Sequence, residues 1–219
     1  MAVNGYHLAV GDVTHMKDDA LATRWLAAEL RQDAPGGRRR DEWIAARVLL
    51  AMLLNNGPLP LLERGAQGKP YHPQLPAFNI SNSGESVAVL VGEGDVGCDL
   101  EIIRPRARYM AIARHSFDTS LCDWLESLPE VEHIPQFWRL WTAHEAVLKQ
   151  RGGTVWQMEQ LRLPLQSLCP PDRFLHHVTV EDRLIACCGE QPFPANFGAE
   201  LVILSDVACG FRPMRFQNI

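Results

Sequence analysis

The chain has 219 residues, of which 47% are hydrophobic and 21% charged, with a net charge of -5. That length suits one large domain or two small ones and is enough to bury a real core. The composition excludes disordered, collagen-like and low-complexity classes, and the acidic balance speaks against non-specific nucleic-acid binding. Lysine is scarce: Lys17, Lys69 and Lys149 are the only three. Residues 1–13 lack the basic and apolar regions of a signal peptide. The longest apolar stretch, residues 44–54, is interrupted by Arg47 and is too short to span a membrane. Six scattered cysteines without a C-x-x-C pair fit a reduced cytoplasm.

In chain order, the pattern predicts a first strand at 7–13 and an amphipathic helix over 18–32, with Leu21, Trp25, Leu26 and Leu30 near helical spacing. A second helix is expected over 39–55, ended by Gly57-Pro58. The Gly/Pro-rich stretch 65–76 reads as irregular. Strands follow at 78–81, 86–91 and 96–102, the last two joined as a hairpin through Glu93-Gly94-Asp95. Helices are expected at 108–115, 120–128 and 135–151, the longest ending at Gly152-Gly153. Strands are then expected at 157–163, 174–180, 183–188 and 199–205. Helices followed by strands, twice over, predict an α+β protein with halves 1–103 and 104–219.

Three segments carry candidate chemistry. In a strand Asp99 and Glu101 project from one face, with Cys98 and Leu100 on the other. Paired carboxylates repel unless a cation intervenes, and an all-oxygen site suits Mg²⁺ or Mn²⁺; the alternative is two solvated acids. On the long helix Glu145 and Lys149 are i,i+4 neighbours. They read either as a surface ion pair worth ~0.3–0.5 kcal/mol or as a metal carboxylate beside a phosphate-binding ammonium. Gln67-Gly68-Lys69-Pro70 and the run from Phe78 through Ser81, Asn82 and Ser83 to Gly84 offer a cation, small donors and close backbone approach. Gly92-Glu93-Gly94-Asp95-Val96-Gly97 has the letters of a dinucleotide fingerprint, but a strand follows it where a helix is required.

In this order the segments resemble the 4′-phosphopantetheinyl transferases of the pseudo-dimeric, surfactin-synthetase-activating type. The matching residues are Gly68-Lys69-Pro70, Phe78-Asn79-Ile80-Ser81-Asn82-Ser83, Gly97-Cys98-Asp99-Leu100-Glu101 and Trp141-Thr142-Ala143-His144-Glu145-Ala146-Val147-Leu148-Lys149. Arg104-Pro105-Arg106 and the run from Lys149 to Gly153 look like the bacterial second holo-acyl-carrier-protein synthase branch. The resemblance implies two similar α/β halves packed as a pseudo-dimer with coenzyme A between them. It implies Asp99, Glu101 and Glu145 as Mg²⁺ ligands and Lys149 as the phosphate-neutralising cation. Lys69, Pro70, Ser81, Asn82 and Ser83 would contact coenzyme A, with Arg47 a further phosphate contact. The implied reaction moves phosphopantetheine from coenzyme A to a serine of an apo acyl or peptidyl carrier protein, releasing 3′,5′-ADP. Glu145 is the candidate proton acceptor. No membrane or nucleic-acid partner is implied, and a chain holding both halves has no need to dimerise.

Two positions depart from the family pattern: its histidine between the two serines is Asn82, and its lysine before the helix glutamate is His144. On this reading His144 replaces the lysine as a partly charged catalytic cation, so that coenzyme A binding weakens as pH rises. His144→Lys is then expected to flatten that dependence. The competing reading is a weakened or inactive homologue that binds coenzyme A or a carrier protein. Asp99→Ala is expected to abolish transfer and leave the fold intact. Arg104, Arg106, Arg108 and Arg114 are the candidate docking patch for an acidic carrier protein.

Overall fold

The computed structural model describes residues 5–37 and 39–202. Strand β1 (His7–Asp12) leads into helices α1 (Val13–Met16), α2 (Asp19–Trp25), α3 (Ala28–Gln32) and α4 (Arg39–Leu54). The single helix expected over 18–32 is broken at Leu26, which is extended (φ -121°, ψ 133°) and bridges Leu59. Leu59 N–H donates to the Trp25 carbonyl at 2.8 Å, and Ala27 N–H donates to the Leu59 carbonyl at 2.9 Å. A tertiary pairing thus overrides a continuous helical pattern.

The stretch expected to be irregular holds a small ribbon, β2 (Glu63–Arg64) with β3 (Pro70–Tyr71), around a 3-10 turn. Strands β4 (Ala77–Ser83), β5 (Ser86–Gly92) and β6 (Gly97–Ile102) follow, then helices α5 (Tyr109–Ser116), α6 (Thr119–Ser127) and α7 (Glu130–Gln150). Helix α7 starts five residues before the expected 135, carrying Pro135 inside it. The carbonyl that Pro135 cannot bond belongs to Val131, a residue 79% exposed, where water can take the place of the missing donor. Residues 157–163 are not a strand: a 3-10 turn spans Val155–Gln160, entered where the Gln157 side chain accepts the Thr154 N–H at 2.9 Å. Strands β7 (Phe174–Val180), β8 (Arg183–Gly189) and β9 (Ala199–Val202) complete the described chain. Residues 203–205 of the last expected strand lie outside it.

The strands form one sheet ordered β4-β5-β1-β9 and a second ordered β6-β8-β7. Strands β5 and β6, expected as a hairpin, belong to different sheets; Gly94 (φ 66°) turns the chain between them. The two sheets pack face to face, with α4 outside the first and α7 outside the second. Period-two alternation distributes the side chains. Val87, Val89 and Val91 of β5 join α4 in one core, while Ala88 and Leu90 join Cys98, Leu100, Ile185 and Cys187 between the sheets. Leu184, Ala186 and Cys188 face α5, α6 and α7 in a third cluster. Helix α7 lies directly on β6 because Gly97 has no side chain: a Cβ there would sit 2.1 Å from the Ala146 carbonyl oxygen and 2.3 Å from Gln150 N.

Candidate active site at the junction of β4, β6 and α7

Strands β4 and β6 lie side by side without a backbone ladder, and two side chains replace it. Asn79 Oδ1 accepts the Cys98 N–H at 2.9 Å. Ser81 Oγ accepts the Leu100 N–H at 3.1 Å. Both residues are buried, so these bonds satisfy strand amides that would otherwise be orphaned. Sequence reading assigned no role to Asn79; its signal was a polar residue inside an otherwise apolar strand start.

This clamp brings the predicted carboxylates against β4 and α7. Ser81 Oγ donates to Asp99 Oδ1 at 3.0 Å, and Ser83 Oγ donates to Glu101 Oε2 at 2.6 Å. Lys149 Nζ donates to Asp99 Oδ1 at 2.7 Å and to Ser81 Oγ at 3.0 Å. Asp99 is 5% exposed, so it is not a solvated acid. Its Oδ2 is buried without a hydrogen-bond partner. Burial acts against the Lys149 charge, yet the Asp99 carboxylate beside it raises its pKa above the ordinary lysine value. Burial also raises Glu101. It pushes Glu145 up to about 7, helped by Asp99 and Glu101 and opposed by Lys149. The i,i+4 pair is therefore not an isolated surface bridge: Glu145 and Lys149 meet a carboxylate cluster from another element.

Among the described residues, no group of three or more His, Cys, Asp or Glu side chains is gathered as a ready metal cage. The donor chemistry nevertheless fits a hard divalent cation: one buried carboxylate oxygen without a partner, and a second carboxyl whose charge the surroundings resist.

The coenzyme-side residues divide into three places. Asn82 points away from the carboxylates and donates to Glu42 Oε2 at 3.2 Å. Lys69 Nζ donates to the Val96 carbonyl at 2.9 Å and to the Gln150 carbonyl at 3.3 Å, tying its loop to β6 and α7. Burial lowers its pKa. With Pro70, Tyr71, His72, Asp95 and Arg151 it lines a cleft of about 390 Å³. Arg47 instead lies over the Trp43 ring, 3.9 Å from its centroid, with its Nε buried and unpartnered. Burial lowers its pKa to about 10. It reaches the back of the loop, sharing a small pocket with Asp33, Arg64, Gly68 and Pro70.

His144 is placed elsewhere, which corrects its expected role as a cation near phosphate. One residue before Glu145 on α7, it is rotated by about 100° and is fully buried. Its ring packs on Phe117 at 4.6 Å between centroids. Nδ1 bonds the Leu140 carbonyl at 2.7 Å, and Nε2 has no partner. Burial drives its pKa down to about 4. A neutral, sequestered imidazole does not replace a phosphate-binding lysine, and His144→Lys would place a charge in the core rather than flatten a binding profile. Arg114, expected in the docking patch, is paired with Glu126.

A profile of the 4′-phosphopantetheinyl transferase superfamily matches residues 95–192, covering β6, α7, β7 and β8. The chain is 37% identical over 191 residues to the 4′-phosphopantetheinyl transferase AcpT of Escherichia coli K12, covering 86% of this chain and 92% of the relative. It is 35% identical to AcpT of Salmonella typhimurium, covering 86% and 94%. A putative 4′-phosphopantetheinyl transferase, slr0495 of Synechocystis, is 37% identical over 115 residues, covering 50% and 47%.

Proposed function

The chain belongs to the 4′-phosphopantetheinyl transferase superfamily, and from that premise we propose that it transfers 4′-phosphopantetheine from coenzyme A to a serine of an apo acyl or peptidyl carrier protein. The carrying observation is the cluster of buried Asp99 with half-buried Glu101, Glu145 and Lys149, which joins carboxylates from β6 to an acid and a cation from α7. The serine oxygen forms a bond to the β-phosphorus, the bond to the 3′,5′-ADP oxygen breaks, and the serine proton leaves to a base. Such chemistry needs alignment and stabilisation of oxygen charge more than covalent help from the protein.

The roles follow from the electrostatics. Lys149, held charged by Asp99, offers its ammonium to phosphate oxygens. Glu145 stands beside Asp99 and Glu101 and is the candidate to take the serine proton, directly or through water, its basicity reduced when it also holds the ion. Asp99, Glu101 and Glu145 are the residues that would hold Mg²⁺ or Mn²⁺, and the bound ion would supply positive charge against the diphosphate. Ser81 and Ser83 orient the carboxylates through the bonds described above. Lys69, Pro70, Ser81, Asn82, Ser83 and Arg47 belong to the coenzyme A side of this reading. Lys69 must release two backbone carbonyls to reach a phosphate.

The pseudo-dimer reading, with halves 1–103 and 104–219, is supported by element order. Setting aside the small β2–β3 ribbon and the 3-10 turns, a helix followed by three strands occurs as α4-β4-β5-β6 and again as α7-β7-β8-β9. The third strand of each set lies in the sheet of the other, β6 beside β8 and β9 beside β1. A cytoplasmic setting is supported by five described cysteines that are all free, and no described helix is long and apolar enough to cross a membrane.

Intact-mass spectrometry of an apo carrier protein incubated with this protein, coenzyme A and Mg²⁺ tests the proposal. The expected result is addition of one phosphopantetheine per carrier. Coenzyme A binding without any mass gain would favour the inactive homologue, which the intact cluster does not support.

Asn82 carries a second expectation. It is exposed and its amide has no charge. A charge-assisted hydrogen bond contributes about 1.5–3 kcal/mol, and 1.4 kcal/mol is roughly tenfold in affinity. Asn82→His should therefore tighten coenzyme A binding by about tenfold or more below the histidine pKa, read by calorimetric titration. Equal affinities at low and high pH would remove position 82 from the phosphate contacts.

A further inference from the structure

We infer that Arg183 is a positioning residue: it fixes the tip of the β4-β5 hairpin so that Ser83 holds the Glu101 carboxylate, and it thereby sets how tightly the cluster takes a divalent cation. This rests on the transferase reading and adds to it a control of the metal from β8, a strand that carries none of the carboxylates.

Arg183 opens β8, opposite Ile102 of β6, and its side chain is 13% exposed. It reaches from its own sheet to the other. Nε donates to Ser86 Oγ at 2.7 Å and Nη2 donates to Asp12 Oδ1 at 2.7 Å, while Nη1 pairs with Glu181. Asp12 on β1 lies opposite Ser86, and so does Ser83 on β4. Directly opposed residues share a sheet face, so Asp12, Ser86 and Ser83 form one polar row across the end of the first sheet. The row faces the second sheet, because Ser86 alternates with Val87 and shares its face with Ala88 and Leu90, which pack between the sheets. Arg183 bonds Asp12 and Ser86, and the remaining member, Ser83, donates to Glu101 Oε2 at 2.6 Å.

No backbone ladder joins β4 to β6, so side chains set the distance between Ser83 and Glu101. Asn79 and Ser81 clamp the strands farther back. At the hairpin tip the chain turns through Gly84 (φ 59°), where a Cβ would sit 3.1 Å from Ile102 Cδ1. The turn thus lies against the end of β6, and Arg183 is the polar tie that keeps it there. A guanidinium donates through a rigid planar fork, so one side chain fixes both the spacing and the orientation of the row. Partners that orient a ligating carboxylate govern metal affinity nearly as strongly as the ligands do. The alternative is that Arg183 only joins the two sheets. That role would lower the melting temperature, leave metal affinity unchanged and be independent of Ser83.

Mn²⁺ alone is the probe, followed by loss of the free-ion electron paramagnetic resonance signal as protein is added. Arg183→Met should weaken Mn²⁺ binding about tenfold, the scale for a partner that orients a ligand. Ser83→Ala should weaken it at least as much. The double variant should bind no more weakly than Ser83→Ala, because the two residues act in series. Ser86→Ala cuts the tie to the hairpin while Arg183 stays paired with Asp12. It too should weaken Mn²⁺ binding, and it decides the matter if Arg183→Met does not fold. Equal Mn²⁺ affinity in Ser86→Ala and the parent overturns the inference, as do additive effects of Arg183→Met and Ser83→Ala. A parent that binds no Mn²⁺ overturns it as well. The series pattern in a parent that binds Mn²⁺ yet transfers nothing supports the positioning role and counts only against the transferase reading.

Discussion

Asp99→Ala should lose transfer by at least about 100-fold, the scale on which one preorganised charge-stabilising group matters, and should also lose stability. The sequence alone suggested an intact fold, on the ground that an acid lining a site contributes little to the core. The structure reverses that second half. Asp99 is 5% exposed, accepts from Lys149 at 2.7 Å and is bonded to Ser81. Removing it leaves the Lys149 ammonium, whose side chain is 27% exposed, without its carboxylate, a change that costs at most about 3 kcal/mol because water reaches the charge. The two losses separate with a second substitution. Asp99→Ala combined with Lys149→Met removes both charges and should recover most of the stability, while transfer stays abolished. Chemical denaturation and turnover measured on both variants decide the matter. Retained turnover in either variant would remove Asp99 from the reacting centre.

The candidate site was legible in part because its charged residues sit at periodic positions on regular elements, and the family resemblance joined the two pairs into one site. Asp99 and Glu101 alternate on a strand, and Glu145 and Lys149 are one helical turn apart. Period alone therefore placed each pair on one face. It did not reveal that Ser81 and Ser83 would bond those carboxylates from a strand eighteen residues earlier, nor that Asn79 would clamp the same strand. Such contacts arise from the approach of two sheets, and no local pattern reports it. Gly97 shows the same limit from the other side. Its glycine is demanded by the backbone of α7 at 2.1 Å from a hypothetical Cβ, a constraint set by an element some fifty positions away.

The misplacements have separate causes. His144 was aligned to a phosphate-binding lysine because it precedes Glu145, but adjacency on a helix means a rotation of about 100°. That turns the ring toward Phe117 and Leu140. The break at Leu26 and the separation of β5 from β6 came from long-range pairing that outweighed local propensity. The strand expected at 157–163 overlaps the 3-10 turn at Val155–Gln160: Met158, Leu161 and Leu163 are all buried, but the three-residue step from 158 to 161 fits a turn and not period two.

Glu145→Gln should abolish transfer to a similar degree and should change how stability depends on pH. In the parent, burial first, then Asp99 and Glu101, push this carboxyl from 4.5 to about 7 against the pull of Lys149. Between those values the folded chain keeps the proton that the unfolded chain has released. Stability linked to Glu145 is thus fully present below about 4.5 and is lost as pH rises through 7, by on the order of 3 kcal/mol at 1.4 kcal/mol per pH unit. His144 and His177 act with the opposite sign: burial lowers both to about 4, so their contribution is present above 6.5 and is lost as pH falls toward 4. The parent profile is therefore a composite, and the difference between variant and parent isolates Glu145. Glutamine removes the charge and nearly keeps the shape, so the variant should gain on the parent steadily from pH 5 and hold a constant advantage above about pH 7.5. Mg²⁺ should narrow that advantage by stabilising the parent, whose carboxylate can share the ion with Asp99 and Glu101. Thermal melting across this range, with and without Mg²⁺, reads both effects. Parallel profiles for variant and parent, unchanged by the metal, would show that Glu145 is an ordinary solvated acid with no part in the cluster.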